Sequence, residues 1–328
     1  MQPVISDPDK VKRIAEHVGV QASIITPLGR GATSSAWKVT HARDAFIVRF
    51  MPVSTQRPVT YQSEFTILRV LMDRGCPVPK PVMTSVEANR PISGVPEAWA
   101  VTQVVPGEPV KNGLISSGVM YDLGRLLSVL HALPVTGFGR LVEQPDALVG
   151  QQESHLDGVR ARWCWADLWP FDGGNLRQHP FAKRRLHLTE KLQGFEEAIF
   201  KVVSDEPVAL THSDLHGEHI FQRDGALSGV IDFGAAFIGV PAWDFAVIAF
   251  YHGWPTVQAT VSGYTYPLGK RQLLQQTRML ALVVGLYKLS KAAKERASES
   301  KIERILQFLS RTLEDKPNEI DQLQQYPS

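Results

Sequence analysis

The stretch 211-THSDLHGEHI-220 gathers His212, His216 and His219 around Asp214, and 226-ALSGVIDFG-234 follows it with an apolar run that carries Asp232 near its end. Read alone, the first stretch has two accounts. It is either a metal-assisted phosphoryl-transfer loop, with Asp214 orienting a substrate hydroxyl and His219 helping to hold a metal, or a polar loop that satisfies its own backbone. Asp232 favours the first account. A carboxylate set between Ile231 and Phe233 is costly unless it is paired or metal-bound. A short hairpin with Arg223 to Gly225 at its tip would bring Asp214 and Asp232 to one end of two strands. Carboxylates so placed suit Mg²⁺, a hard cation that prefers oxygen ligands and retains waters.

Upstream, ITPLGRGATSSAWKVT has β-rich flanks around Gly29, Gly31, Thr33 and Ser34, which predicts strand, tight loop, strand. Glycines let a backbone approach phosphate oxygens, and the hydroxyls can donate to them. No Gly-Lys-Ser/Thr follows, so this is not a P-loop; a plain hairpin turn is the alternative. Arg49 lies in the strand pattern 45-AFIVRF-50 and Glu64 in the helical pattern 61-YQSEFTILRVLMDRG-75. A strand cation facing a helical carboxylate can hold phosphates, although each residue alone also reads as solvated.

The residues Val11, Ile14, Ala15 and Val18 predict a helix over 9–18, stopped by Gly19. AWAVTQVV, 98–105, reads as a buried strand that leaves the first half at Pro106-Gly107. Beyond it Leu123, Leu126, Leu127 and Leu130 form a core-facing helical stripe, and helical patterns return over 270–293 and 301–313. The expected fold is therefore α+β, with a small β-rich nucleotide-binding lobe, 1–105, and a larger helical lobe, 106–328.

Composition narrows the function. The chain has 328 residues, 44% hydrophobic and 21% charged, with a net charge of +2 and no dense Lys/Arg run. That argues against a nucleic-acid partner. Cys76 and Cys164 match no metal or redox spacing and read as packed thiols of a reducing compartment. No basic segment followed by an apolar run opens the chain, and Asp232, Pro241 and Asp244 interrupt its most apolar window. The expectation is a cytoplasmic protein without a membrane span, monomeric or weakly dimeric.

The order of glycine loop, strand cation, helical glutamate, HxDxxxxH and DFG resembles the protein-kinase-like fold. From about Leu28 to Asp244, with HSDLHGEHI and GVIDFGAAFIGVPAWDFA its strongest segments, the chain is similar to the aminoglycoside phosphotransferase and choline kinase family. The resemblance implies that Asp214 is the catalytic aspartate and that His219 and Asp232 hold Mg²⁺. It implies that Arg49 and Glu64 are the phosphate-binding cation and its ion-pair partner. Gln103, Val104 and Val105 correspond to the hinge that meets the purine, and Asp244 to a structural support of the loops. His216 either approaches the γ-phosphate or acceptor or makes a structural hydrogen bond.

His219 stands where most of the superfamily has Asn, and Arg49 where Lys is usual. Similar departures are familiar in the aminoglycoside 2″-phosphotransferase, macrolide and hygromycin kinase groups, some of which prefer GTP. ATP or GTP is thus the implied co-substrate. No APE-like activation segment is present, which argues against a protein kinase. In RWCWADLWPFDGGN, Trp165, Asp167, Trp169 and Asp172 could line an acceptor cleft, with core packing the other account of the tryptophans. The expected activity is transfer of a γ-phosphate to an antibiotic hydroxyl. A choline- or homoserine-type metabolic kinase and a non-catalytic nucleotide-binding module are the alternatives.

Overall fold

Residues 44–51 alternate as a two-faced strand requires. The computed structural model, which describes residues 6–30, 34–51, 60–111, 115–163, 175–204, 208–265 and 269–314, builds the first lobe around them. Strands β1 (Ile24–Arg30), β2 (Ser35–His41), β3 (Asp44–Met51), β4 (Pro81–Thr84) and β5 (Ala98–Gln103) form one antiparallel sheet in the order β1-β2-β3-β5-β4. Val48 and Phe50 of β3 and Trp99 and Val101 of β5 pack with helix α1 (Asp7–His17), through its buried Val11, Ile14 and Ala15. Successive side chains leave a strand on opposite faces. Arg49, between Val48 and Phe50, therefore emerges on the other face, where it meets helix α2 (Gln62–Asp73).

Helix α2 buries Ser63 through Leu68 together with Leu71. Its Phe65, Ile67, Leu68 and Leu71 belong to the core of the second lobe rather than to the α1 cluster. The element that carries Glu64 is thus seated on the larger lobe.

That lobe contains β6 (Glu108–Pro109), α3 (Ser117–His131), β7 (Phe138–Leu141), β8 (Gly150–Gln152) and α4 (His155–Trp163). Four short helices follow: α5 (Asn175–Gln178), α6 (Pro180–Arg184), α7 (Leu186–Gln193) and α8 (Glu196–Ser204). Then come β9 (Ala209–Thr211), β10 (Ile220–Arg223), β11 (Ala226–Val230), β12 (Phe237–Gly239), α9 (Ala242–His252), α10 (Trp254–Gly263), α11 (Lys270–Lys294) and α12 (Glu299–Glu314). Helix α3 begins ahead of the leucine stripe because Ser116 Oγ accepts from the Val119 N–H at 3.2 Å, a side-chain N-cap. Phe237, Trp243 and Phe245 are fully buried at the centre of this lobe. Each such side chain contributes about 2–3 kcal/mol of burial.

The β10–β11 hairpin turns at Asp224 and Gly225, both with positive φ (53° and 78°), as a type I′ turn demands. It is fastened to the connector that follows β5. Strand β6 pairs with β10, the Val110 N–H donates to Ile220 O at 2.9 Å, and Ser228 Oγ donates to Pro106 O at 2.6 Å. Two glycines permit this approach. A Cβ at Gly229 would lie 2.2 Å from Val105 Cγ1, and one at Gly107 (φ +91°) would lie 2.1 Å from Gln222 O. On its other side the hairpin receives the first lobe, where the Val230 N–H donates to Pro77 O at 3.0 Å. Cys76 is a free thiol, and Cys164 lies outside the described residues. No described helix is long and apolar enough to cross a membrane.

Candidate active site

Asp244, on the first turn of α9, is fully buried and organises the loop that leaves β9. Its Oδ2 accepts from the His212 N–H at 2.9 Å and its Oδ1 from the Ser213 N–H at 2.7 Å. His131 Nε2 approaches Oδ2 to 3.0 Å, and His131 Nδ1 lies 2.8 Å from the Tyr264 hydroxyl. These contacts hold Ser213 at φ 64°, a left-handed conformation that an L-residue adopts only when its surroundings impose it. The chain reverses there and leaves the Asp214 carboxylate partly exposed.

His212 bridges the two loops. Its Nε2 donates to Ile231 O at 2.9 Å, and its Nδ1 accepts from the Asp214 N–H at 3.3 Å. Burial pushes its pKa below the ordinary histidine value, so the ring is neutral and braces the Asp214 loop against the strand that leads to Asp232.

His219 lies between the carboxylates. Its Nδ1 donates to the Asp214 carbonyl at 2.8 Å, so a metal-binding His219 would carry its lone pair on Nε2. That nitrogen faces Asp232 Oδ2 at 3.4 Å. Two acceptors set face to face at this distance call for a cation or a proton between them. The Asp214 carboxylate, 30% exposed, has Oδ2 3.9 Å from His219 Nδ1 and 3.9 Å from His216 Nε2. Asp214, His216 and His219 also present ligand atoms within 4.8 Å of one another. The hydrogen bond to the carbonyl aims the His219 lone pair toward Asp232, so the His219–Asp232 pair is the better metal seat.

His216 has a local task. Its Nδ1 accepts from the Glu218 N–H at 3.3 Å and caps the 3₁₀ turn Gly217–His219. Its ring lies 3.7 Å, centroid to centroid, from that of His219. Burial and the nearby His219 lower its pKa.

Asp232 sits at φ 64° just after the apolar strand, with a side chain 47% exposed, more open than its apolar flanks suggest. Burial pulls its carboxyl up, but the charge of Arg49, with a hydrogen bond from the Gly234 N–H, outweighs that and holds it below the usual range. Arg49 Nη1 lies 3.7 Å from Asp232 Oδ1, while Nη2 donates to Glu64 Oε1 at 2.7 Å. Burial pulls the guanidinium down, yet Glu64 and Asp232 hold it firmly charged. Its Cζ stands 5.2 Å from the ring centroid of Tyr61. The sheet cation, the helical glutamate and the second carboxylate thus form one chain of charge.

The glycine loop is described in part. Gly29 pairs with Ala36 in the β1–β2 hairpin and Ser34 directly precedes β2, whereas Gly31 and Thr33 lie outside the described residues. Gln103 ends β5 opposite Phe46, its N–H donating to Lys80 O at 2.9 Å, and the Val104 N–H donates to Ala45 O at 2.9 Å. Val105 packs on Gly229. Trp165, Asp167, Trp169 and Asp172 lie outside the described residues.

Sequence reasoning missed Glu143. Its Oε2 accepts from Thr60 Oγ1 at 2.9 Å and from the Ser63 N–H at 3.3 Å, so a carboxylate of the second lobe caps the helix that carries Glu64. It also missed Tyr251 and Lys288, whose hydroxyl and ammonium both feel the charge of the Asp214 carboxylate. No local signal marks any of the three, because each acts across a long sequence separation.

A homoserine kinase of Gluconacetobacter diazotrophicus is 27% identical over 189 residues, 55% of this chain. The match spans half of that relative's length, 50%. Among solved structures, aminoglycoside phosphotransferase APH(4)-Ia superposes with a TM-score of 0.64 at 15% identity, covering 94% of this chain and 98% of that one. The GDP and kanamycin complex of APH(2″)-IIia gives 0.62 at 18% identity, covering 93% and 98%. Spectinomycin phosphotransferase APH(9)-Ia gives 0.59 at 14%, covering 97% and 98%. At these identities the structures establish a shared bilobal kinase-like fold. The model of the phosphotransferase enzyme family matches residues 24–268, which take in the five-stranded sheet, the Arg49–Glu64 pair and both carboxylate loops. The chain therefore belongs to the phosphotransferase enzyme family.

Proposed function

We propose that this protein transfers the γ-phosphate of ATP or GTP to a hydroxyl of a small molecule, in the cleft between its lobes. The observation that carries the reading is the placement of Asp214 and Asp232 about the single imidazole of His219, with Arg49 next to Asp232 and paired to Glu64. Arg49 would hold phosphate oxygens, its fork kept in place by Glu64. Asp214, with a partly exposed carboxylate, would orient the acceptor hydroxyl and receive its proton. The acceptor oxygen then bonds to the γ-phosphorus as the β,γ-bridging oxygen departs with the nucleoside diphosphate. Positioning and charge neutralisation supply most of the acceleration in such transfers.

Asp232 and His219 would hold a Mg²⁺ ion, which when bound neutralises charge on the nucleotide phosphates. The donor set fits one carboxylate and one imidazole, the latter more at home with softer divalent ions. His216 supports the turn beneath His219. Gln103 to Val105 would meet the purine, and Gly29 to Ser34 would cover the phosphates.

Two observations bear on the acceptor. Two of the solved neighbours are complexes with kanamycin and with spectinomycin, which supports an antibiotic acceptor. The homoserine kinase relative supports a hydroxylated amino acid instead. The test is phosphate transfer by the purified protein with ATP and GTP in parallel, Mg²⁺ present, and Asp214→Asn as control. Acceptor-dependent turnover that disappears in the variant is expected. Failure of the wild-type protein to bind either nucleotide would refute the reading.

A further inference from the structure

Behind Asp214 the second lobe presents an aromatic wall that carries positive charge. The His216 ring lies 5.6 Å from that of Tyr251 on α9, and the Tyr251 hydroxyl accepts from Lys288 Nζ of α11 at 2.8 Å. Lys288 Nζ stands 5.1 Å from the Tyr251 ring centroid and 5.9 Å from that of Tyr287. Tyr287 meets Trp163 edge-on at 5.2 Å, and Trp163 lies against Arg162, whose Nη2 approaches Ser213 O at 3.4 Å. The circuit closes on the residue next to Asp214.

Lys288 is the informative member. It is half-buried, and an ammonium has three N–H donors, of which the Tyr251 hydroxyl takes one. No ion pair joins it to a carboxylate among the described residues. Burial pulls its pKa down while the Asp214 carboxylate pulls it up, so the two groups sense each other. Burial likewise pushes the Tyr251 hydroxyl up to about 12, which keeps it neutral as a donor and acceptor. A desolvated cation that no carboxylate pairs directly is expensive unless a ligand supplies the anion. A polycation would meet Lys288 and Arg162 at close range, whereas an anion would gain from both.

We infer that the acceptor is a small hydroxylated molecule bearing an anionic group, and that Lys288 binds that group while Asp214 receives the hydroxyl. This rests on the phosphotransferase reading above and narrows its acceptor. The chemistry is that of a carboxylate or a phosphate monoester, so the two form separate arms of the test.

The experiment follows radiolabelled γ-phosphate from ATP or GTP into four acceptor pools: hydroxy and hydroxyamino acids, sugar phosphates, uncharged polyols, and aminoglycosides. Turnover is expected in an anionic pool, and the arm that responds names the anion. Lys288→Gln should raise the acceptor KM at least tenfold while the nucleotide KM stays within twofold. Lys288→Arg, which keeps the charge, should remain within a few-fold of wild type, and a matched amide or ester of the active acceptor should be as poor for wild type as the acid is for Lys288→Gln.

Turnover confined to aminoglycosides or polyols would overturn the inference. So would an unchanged acceptor KM in a folded Lys288→Gln protein, because a lysine that merely braces Tyr251 alters melting temperature or kcat instead. Nucleotide binding without transfer to any pool overturns it as well. Absence of nucleotide binding is a different failure, for it removes the kinase reading itself.

Discussion

His219 commits Nδ1 to the Asp214 carbonyl and turns Nε2 on Asp232, so one ring fixes the relation between two carboxylates. Its replacement tests the metal seat. His219→Asn substitutes an amide oxygen for an imidazole nitrogen, and the ratio of the Mg²⁺-supported rate to the Mn²⁺-supported rate should rise; a ratio that stays flat would show that His219 never touches the ion. Asp214→Asn should lower transfer by about a thousandfold, the scale of losing a positioned general base, with nucleotide affinity in an equilibrium titration unchanged. Equal loss of binding would place Asp214 with the nucleotide instead. These residues were legible in the sequence because Asp214, His219 and Asp232 lie in two short loops flanking one hairpin. Lys288 and Glu143 were not, since a lysine in a helix and a glutamate in a loop acquire meaning only when distant segments meet.

At the level of elements, the hairpin shows what local pattern can and cannot say. Asp224-Gly225 announces its turn, and the apolar run announces β11. The two-residue strand β6 has no periodicity to detect, and it exists because β10 offers it an edge. Strand β12, three residues long, is likewise made by pairing with β7 and β9. The same close fit yields a mutation. Gly229→Ala puts a methyl into Val105, a stiff β-branched neighbour, and should cost about 1–3 kcal/mol by overpacking. Val105→Ala in the same chain should restore much of that, and urea denaturation of the single and double variants measures the coupling. Additive losses would refute the contact. Asp244→Ala strips two buried N–H groups and a histidine of their acceptor and should destabilise by about 3 kcal/mol, again read from denaturant midpoints; a loss confined to activity would mean that the loop holds its shape without it.

Across the whole molecule, buried histidines shape the response to acid. Burial lowers His155, His179 and His252 each to about 4 from an ordinary value of 6.5. The unfolded chain binds protons on these rings first, so their stabilising effect is complete above pH 6.5 and is lost as pH falls toward 4. Midway, the three together give a slope of about 3.5 kcal/mol per pH unit. Thermal melts between pH 7 and pH 4.5 should show the midpoint falling steeply through this window, and His179→Gln should flatten the fall; a midpoint constant to pH 4.5 would contradict the burial of these rings.

Asp244 lies 32 residues along the chain beyond His212 of the loop that it braces. During synthesis the five-stranded sheet and the Arg49–Glu64 pair emerge from the ribosome first, and the Asp214 loop follows with no acceptor for its inward N–H groups. Only when α9 has cleared the exit tunnel does that loop acquire its left-handed bend at Ser213. Under the proposed function, the growing chain would therefore gain the means to transfer a phosphate only after α9 is made.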